Sequence, residues 1–175
     1  MSDYCVTSYT PTLTALLEAR RNYKPMLMST AKVLVAAVSR PFRGAPLYSV
    51  INEAHTVASI VPAEQLTILH TQPSQFTGPV ATVDHVHTCL EKTSLMHLAC
   101  HGEQNMQEPL ESGFLLQDGK LTIARLMALN LPMAFLAFLS ACETAKGDEK
   151  QPDQAIHLAA TMLYAGFKSV VGTMW

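Results

Sequence analysis

Ala134 to Leu139 is an unbroken apolar run, Ala-Phe-Leu-Ala-Phe-Leu, with no position left over for a solvated face. A stretch of this kind suits a central strand of a parallel sheet covered on both sides. It ends at Ser140-Ala141-Cys142, where small residues and a thiol replace bulk, and a polar loop through Lys146 follows. A second stretch, Leu95 to Cys100, ends in the same way at His101-Gly102. Open α/β sheets collect ligands and chemistry where their strands end on the carboxyl side. One strand is therefore expected to deliver an imidazole to the sheet's rim and another a thiol, 41 positions later (142 − 101).

The rest of the chain supplies what such a sheet needs. Its 175 residues allow one domain, and with 49% hydrophobic and only 15% charged residues it has material for a sheet buried on both faces. The net charge of −2 and the absence of any Lys/Arg run argue against a nucleic-acid surface. Cys5, Cys89, Cys100 and Cys142 form no CxxC pair and no regular spacing, so isolated thiols in a reducing compartment are expected rather than a disulfide framework. The start, Met1-Ser2-Asp3-Tyr4, lacks the pattern of a signal peptide, and the apolar stretches are too short for a membrane span. The expectation is a soluble cytosolic or nuclear protein with no membrane and no nucleic-acid partner.

Along the chain, Thr10-Pro11 before Leu13, Leu16 and Leu17 reads as a capped helix start, with Arg20, Arg21 and Lys24 toward its far end. Lys32 to Val38 reads as the first central strand. Pro41, Gly44 and Pro46 mark a loop, and Asn52 to Val61 carries helical spacing up to Pro62. A short strand at Leu66 to Leu69 and a polar loop from Thr71 to Pro79 come next. A helix then puts Val83, Val86 and Leu90 on one side, with His85 and His87 as solvated histidines. After His101-Gly102, the polar stretch Glu103 to Ser112 reads as flexible. Gly113 to Leu116 is a strand closed by the Asp118-Gly119 turn, and Thr122 caps a helix that runs toward Pro132. Beyond the Cys142 strand, Asp153 is placed to cap a helix bearing Ile156, Ala159, Ala160 and Leu163. Gly166 closes that helix, and Ser169 to Thr173 begins a last strand. Alternating strands and helices imply a mainly parallel sheet.

A thiol of pKa about 8.5 is only slightly ionised at neutral pH, and a histidine that takes its proton makes it a nucleophile. Such general-base help is worth roughly 10²- to 10⁴-fold. The developing oxyanion then needs backbone N–H donors, for which Gly102, beside the histidine, and Cys142 itself are the candidates. Each residue also has a plain structural use: a cysteine is commonly a small buried hydrophobe, as expected for Cys5, Cys89 and Cys100, and His101 before a glycine suits a turn. A zinc site from His97, Cys100, His101 and Cys142 is disfavoured, because His97 and Cys100 point to opposite faces of a strand. A serine hydrolase built on Ser140 lacks the Gly-x-Ser-x-Gly elbow. Glu143, Asp148 and Glu149 read as a solvated acidic loop before they read as a pocket for a basic residue.

The segments Leu98-Ala99-Cys100-His101-Gly102 and Leu139-Ser140-Ala141-Cys142-Glu143-Thr144-Ala145 resemble the CHAT domain, a caspase- and separase-like cysteine peptidase module. Tyr9 to Leu13, Asp118 to Thr122 and Ala165 to Trp175 extend the resemblance in the family's order over nearly the whole chain. It implies a caspase-haemoglobinase-like three-layer α/β sandwich with a mainly parallel central sheet, one domain spanning residues 1–175. It also implies His101 as general base, Cys142 as nucleophile and no cofactor or metal. The expected partner is a protein or peptide substrate. CHAT domains typically end longer proteins, behind helical repeats that govern them, and continue past the Gly-Thr-x-Trp strand. The expectation is therefore a fragment, with the family's C-terminal part missing after Trp175. The alternative from a different class is a catalytically silent module that keeps the fold and signals through partners.

Overall fold

The computed structural model describes residues 12–21, 23, 25–71, 76–105, 107–141 and 154–172. Along the described chain run α1 (Leu13–Arg21), β1 (Val33–Ala37), α2 (Ser49–Ile60), β2 (Leu66–His70), α3 (Val83–Leu90), β3 (Leu95–Ala99), β4 (His101–Glu103), β5 (Gly113–Leu115), β6 (Lys120–Thr122), α4 (Ile123–Met127), β7 (Leu136–Leu139), α5 (Gln154–Tyr164) and β8 (Ser169–Gly172). The apolar runs expected to be strands are strands. β2, β1, β3, β7 and β8 lie in that order, every neighbouring pair parallel. β4, β5 and β6 form a separate antiparallel sheet.

Side chains alternate across each strand, so β1, β2 and β3 feed two cores. On one face Leu34, Ala36, Leu98, Ala137 and Leu139 pack with Val86 and Leu90 of α3, Leu126 of α4 and Met162 of α5. On the other, Val33, Val35 and Ala37 pack under Val50 and Ala54 of α2. The result is a three-layer α/β sandwich with a mainly parallel centre.

Helix ends follow simple chemistry. The Thr82 and Thr122 hydroxyls accept the backbone N–H groups of His85 and Arg125, at 3.2 and 3.3 Å. Gly166 ends α5 at φ 122°, where the Phe167 N–H reaches back to the Met162 carbonyl at 3.1 Å. The expected caps Thr10, Pro11 and Asp153 lie outside the described residues. α2 begins at Ser49, three residues before the expected Asn52, and α4 stops at Met127, well before Pro132.

Three expectations need correcting. First, the Ala134–Leu139 run is not covered on both sides: Ala137 and Leu139 are buried, but Phe138 is 40% exposed. α2 packs over β1, and β7 lies two strands away, about 10 Å at the usual strand spacing. A helix about 10–12 Å across does not reach that far. Second, Glu103 to Ser112 is no featureless loop. Asn105 Oδ1 accepts the N–H groups of Gln107 and Glu108, both at 3.0 Å, and a single 3₁₀ turn follows at Pro109–Glu111. Third, the Asp118-Gly119 turn closes a hairpin, and its second strand, β6, was not foreseen. Among the described residues no helix is long and apolar enough to cross a membrane.

Candidate active site

Strand order locates the site. From β1 the chain moves outward to β2 and then crosses back to β3, β7 and β8 on the other side, so the switch point lies between β1 and β3. In open α/β sheets the segments leaving the two strands at such a point frame the place where chemistry collects, at the sheet's carboxyl rim. The segment after β1 and the strand after β3 meet at this place.

The segment after β1 is tied down at both ends. The Thr71 hydroxyl accepts the N–H groups of Ser39 and Arg40, at 3.1 and 3.2 Å. With both lone pairs taken, it donates to Ser39 Oγ, 2.6 Å away. The Leu47 N–H closes the loop on the Ser39 carbonyl at 2.9 Å, and the Phe42 N–H donates to the Leu116 carbonyl, also at 2.9 Å. Between these anchors Gly44 takes φ 98°, a conformation that side chains resist, and a Cβ there would stand 3.4 Å from His101 Cδ2. The turn aims the next carbonyl, that of Ala45, at the imidazole: His101 Nε2 donates to it across 2.8 Å.

This contact sets the ring's chemistry. A carbonyl only accepts, so Nε2 carries the proton, and a neutral imidazole then keeps its lone pair on Nδ1. His101 is half-buried and presents a nitrogen able to take a proton. It stands not in a loop after β3 but in β4, opposite Leu115 of β5. The chain leaves the large sheet at Cys100 and enters the small one at once.

β7 brings the second segment. The Ser140 N–H donates to the Leu98 carbonyl at 2.9 Å, and the buried Ala141 offers its carbonyl to the Gly102 N–H at 3.1 Å. The segment that leads from β7 to Cys142 therefore runs beside the one that leads from β3 into β4. Cys142 itself lies outside the described residues, as do Cys5, Glu143, Asp148 and Glu149. The Gly102 amide, expected to face an oxyanion, is bonded within the fold.

The remaining candidates have ordinary partners. His97 Nε2 donates to Glu53 Oε2 at 3.0 Å on the α2 side, whereas Cys100 is buried in the opposite core, so the two face apart as their spacing requires. His85 is exposed, with Nδ1 2.8 Å from the Val80 carbonyl. Cys89 is half-buried, and burial pushes its thiol pKa up despite nearby Lys92.

Two parts of the rim escaped the sequence reading. The Ala45 carbonyl is a backbone group, and its sole trace is the Gly44 turn. Glu103, inside the stretch read as flexible, accepts from Arg43 and from Lys120 Nζ, the latter at 2.9 Å. Burial raises its carboxyl, but Lys120 and Arg43 outweigh that and hold the pKa below the usual range. Its signal was available: Glu103 sits two residues after His101, on the same face if that stretch is a strand.

A parallel sheet ordered β2-β1-β3-β7-β8 between helical layers is the architecture of a caspase-like α/β fold. The sequence matches the CHAT domain model over residues 2–175, and the chain belongs to that family. The family is one of caspase-like cysteine peptidases. No curated protein matches the chain.

Proposed function

We propose that the chain is a cysteine endopeptidase domain, the effector part of a longer regulated protein, that hydrolyses peptide bonds with a Cys142–His101 dyad. One observation carries the reading. The Ala141 carbonyl, whose carbon is bonded to the Cys142 nitrogen, lies 3.1 Å from the amide nitrogen of Gly102, the residue after His101. Family membership and the lone pair on His101 Nδ1 support it.

In this reading Nδ1 takes the Cys142 proton and the thiolate attacks the substrate carbonyl carbon. The imidazolium gives its proton to the departing amine, and water then cleaves the thioester by the reverse sequence. The Ala45 carbonyl steadies the ring throughout. An oxyanion role for Gly102 requires its bond to Ala141 to open, leaving that amide and the one at Cys142 to face the negative oxygen.

Iodoacetamide labelling, read residue by residue by mass spectrometry, tests the proposal. Cys142 is expected to react far faster than Cys89, and His101→Ala to slow it by about 10²-fold or more. Equal rates with and without the imidazole would sink the peptidase reading. A second reading, a silent module of the same fold, draws on the committed Gly102 amide. It is favoured if Cys142 reacts no faster than Cys89 and no peptide in a library is cleaved.

A further inference from the structure

His101 and Glu103 stand two positions apart on β4, on one face of the strand. Arg43 and Ala45 stand two positions apart on the loop after β1. The two pairs meet one to one: the His101 ring takes the Ala45 carbonyl, and the Glu103 carboxylate takes the Arg43 guanidinium. Gly44 lies between the two loop residues and Gly102 between the two strand residues. We propose that Glu103 is a positioning residue for His101: by holding Arg43 it keeps the Ala45 carbonyl on Nε2 and so keeps the ring's lone pair on Nδ1.

Three features support the clasp. Phe42 and Leu47 anchor the loop at its ends, but among the described residues Gly44 and Ala45 make no backbone–backbone bond that would fix the direction of the Ala45 carbonyl. Arg43 is the residue next to the flexible one, where a side-chain tether controls the turn most directly. Glu103 is itself held by Lys120 of β6, whose side chain is only 16% exposed, so the tether is anchored to the small sheet. A carboxylate gripped by two cations is a firmer post than a lone surface pair.

The consequence for peptide hydrolysis rests on the proposed dyad; the positioning does not. The test therefore reads the ring itself. Two-bond ¹H–¹⁵N correlation spectra of the chain report which nitrogen of His101 is protonated, and amide spectra confirm that each variant is folded. The wild type is expected to show the Nε2–H form. Glu103→Gln and Arg43→Gln approach the same contact from its two sides, and each is expected to raise the Nδ1–H population about fivefold, the scale of a modest ion pair. Lys120→Gln removes the other partner of Glu103 and leaves the loop's own tether, so its shift should be less than half as large. A pure stability effect would treat the two cations alike. The proposal falls if both Glu103→Gln and Arg43→Gln keep the wild-type pattern, or if Lys120→Gln matches Arg43→Gln.

Cys142 alkylation separates the two claims. With the dyad present, Arg43→Gln should slow it in proportion to the loss of the Nε2–H form read from the spectra. A shifted ring with unchanged alkylation would leave the clasp standing and count against the peptidase.

Discussion

Ile68, Val35, His97, Phe138 and Val171 stand in one row across all five strands of the large sheet. All five face the side on which α2 lies, yet Val35 is 0% exposed, Phe138 40% and Val171 47%. The β1–β3 half of the row is core and the β7–β8 half is surface. His97 marks the border, its ring stacked on Phe138 with centroids 5.1 Å apart and its Nε2 turned to Glu53 on α2. A polar side chain with an ionisable partner is tolerable where the apolar cover runs out. The comparison teaches that strand identity does not decide burial here; distance from one helix does. The better covered half is also the half whose rim carries the imidazole.

The largest expected effect breaks the covered half. Val35→Ala removes two methyl groups from a site with no solvent access, and should cost about 2–3 kcal/mol at every pH where the protein folds. Urea unfolding at constant slope measures it. Next comes the rim of the same half. Glu103→Gln should cost about 1 kcal/mol or less at neutral pH, because its partners are partly solvated and screening is strong. Its signature is the pH dependence. The folded carboxyl titrates below its ordinary value of 4.5, so its contribution is complete above that value and fades as pH falls through the folded pKa. Wild type and Glu103→Gln should therefore converge in stability as acid is added, while Val35→Ala stays apart from both. A gap for Glu103→Gln that held constant down to pH 3 would refute the charge argument.

This contrast also explains what the residues disclosed beforehand. The five long strands were legible because buried parallel strands are nearly continuous apolar runs, and Lys32 to Val38, Leu95 to Cys100 and Ala134 to Leu139 are such runs. β4 and β6 were not, since three residues carry no period and their pairing depends on β5 lying between them. Phe138 was misread because its neighbours look like core, and only the placement of α2 leaves it open. At the site, His101 and the end of β7 were legible from the two strand ends. The Ala45 carbonyl was not, because a backbone acceptor leaves no mark in residue identity. The described residues carry the histidine's surroundings and the approach to Cys142.

The smallest effect sharpens the comparison most. Val171→Ala deletes the same two methyl groups as Val35→Ala, from the same row and the same face, so side-chain chemistry cancels. What remains is cover. Val171 is nearly half exposed on the last strand of the order β2-β1-β3-β7-β8, and its wall of neighbours is Phe138, itself part-solvated. Solvent has access to the space the methyls vacate, so there is little cavity cost, and the transfer term is cut roughly in proportion to exposure. The loss should be about 0.5 kcal/mol or less, part of it the lower strand preference of alanine. Unfolding the two variants side by side gives the ratio directly. A Val171→Ala penalty equal to that of Val35→Ala would mean that this face is covered in solution, and the distinction between the two halves would fail.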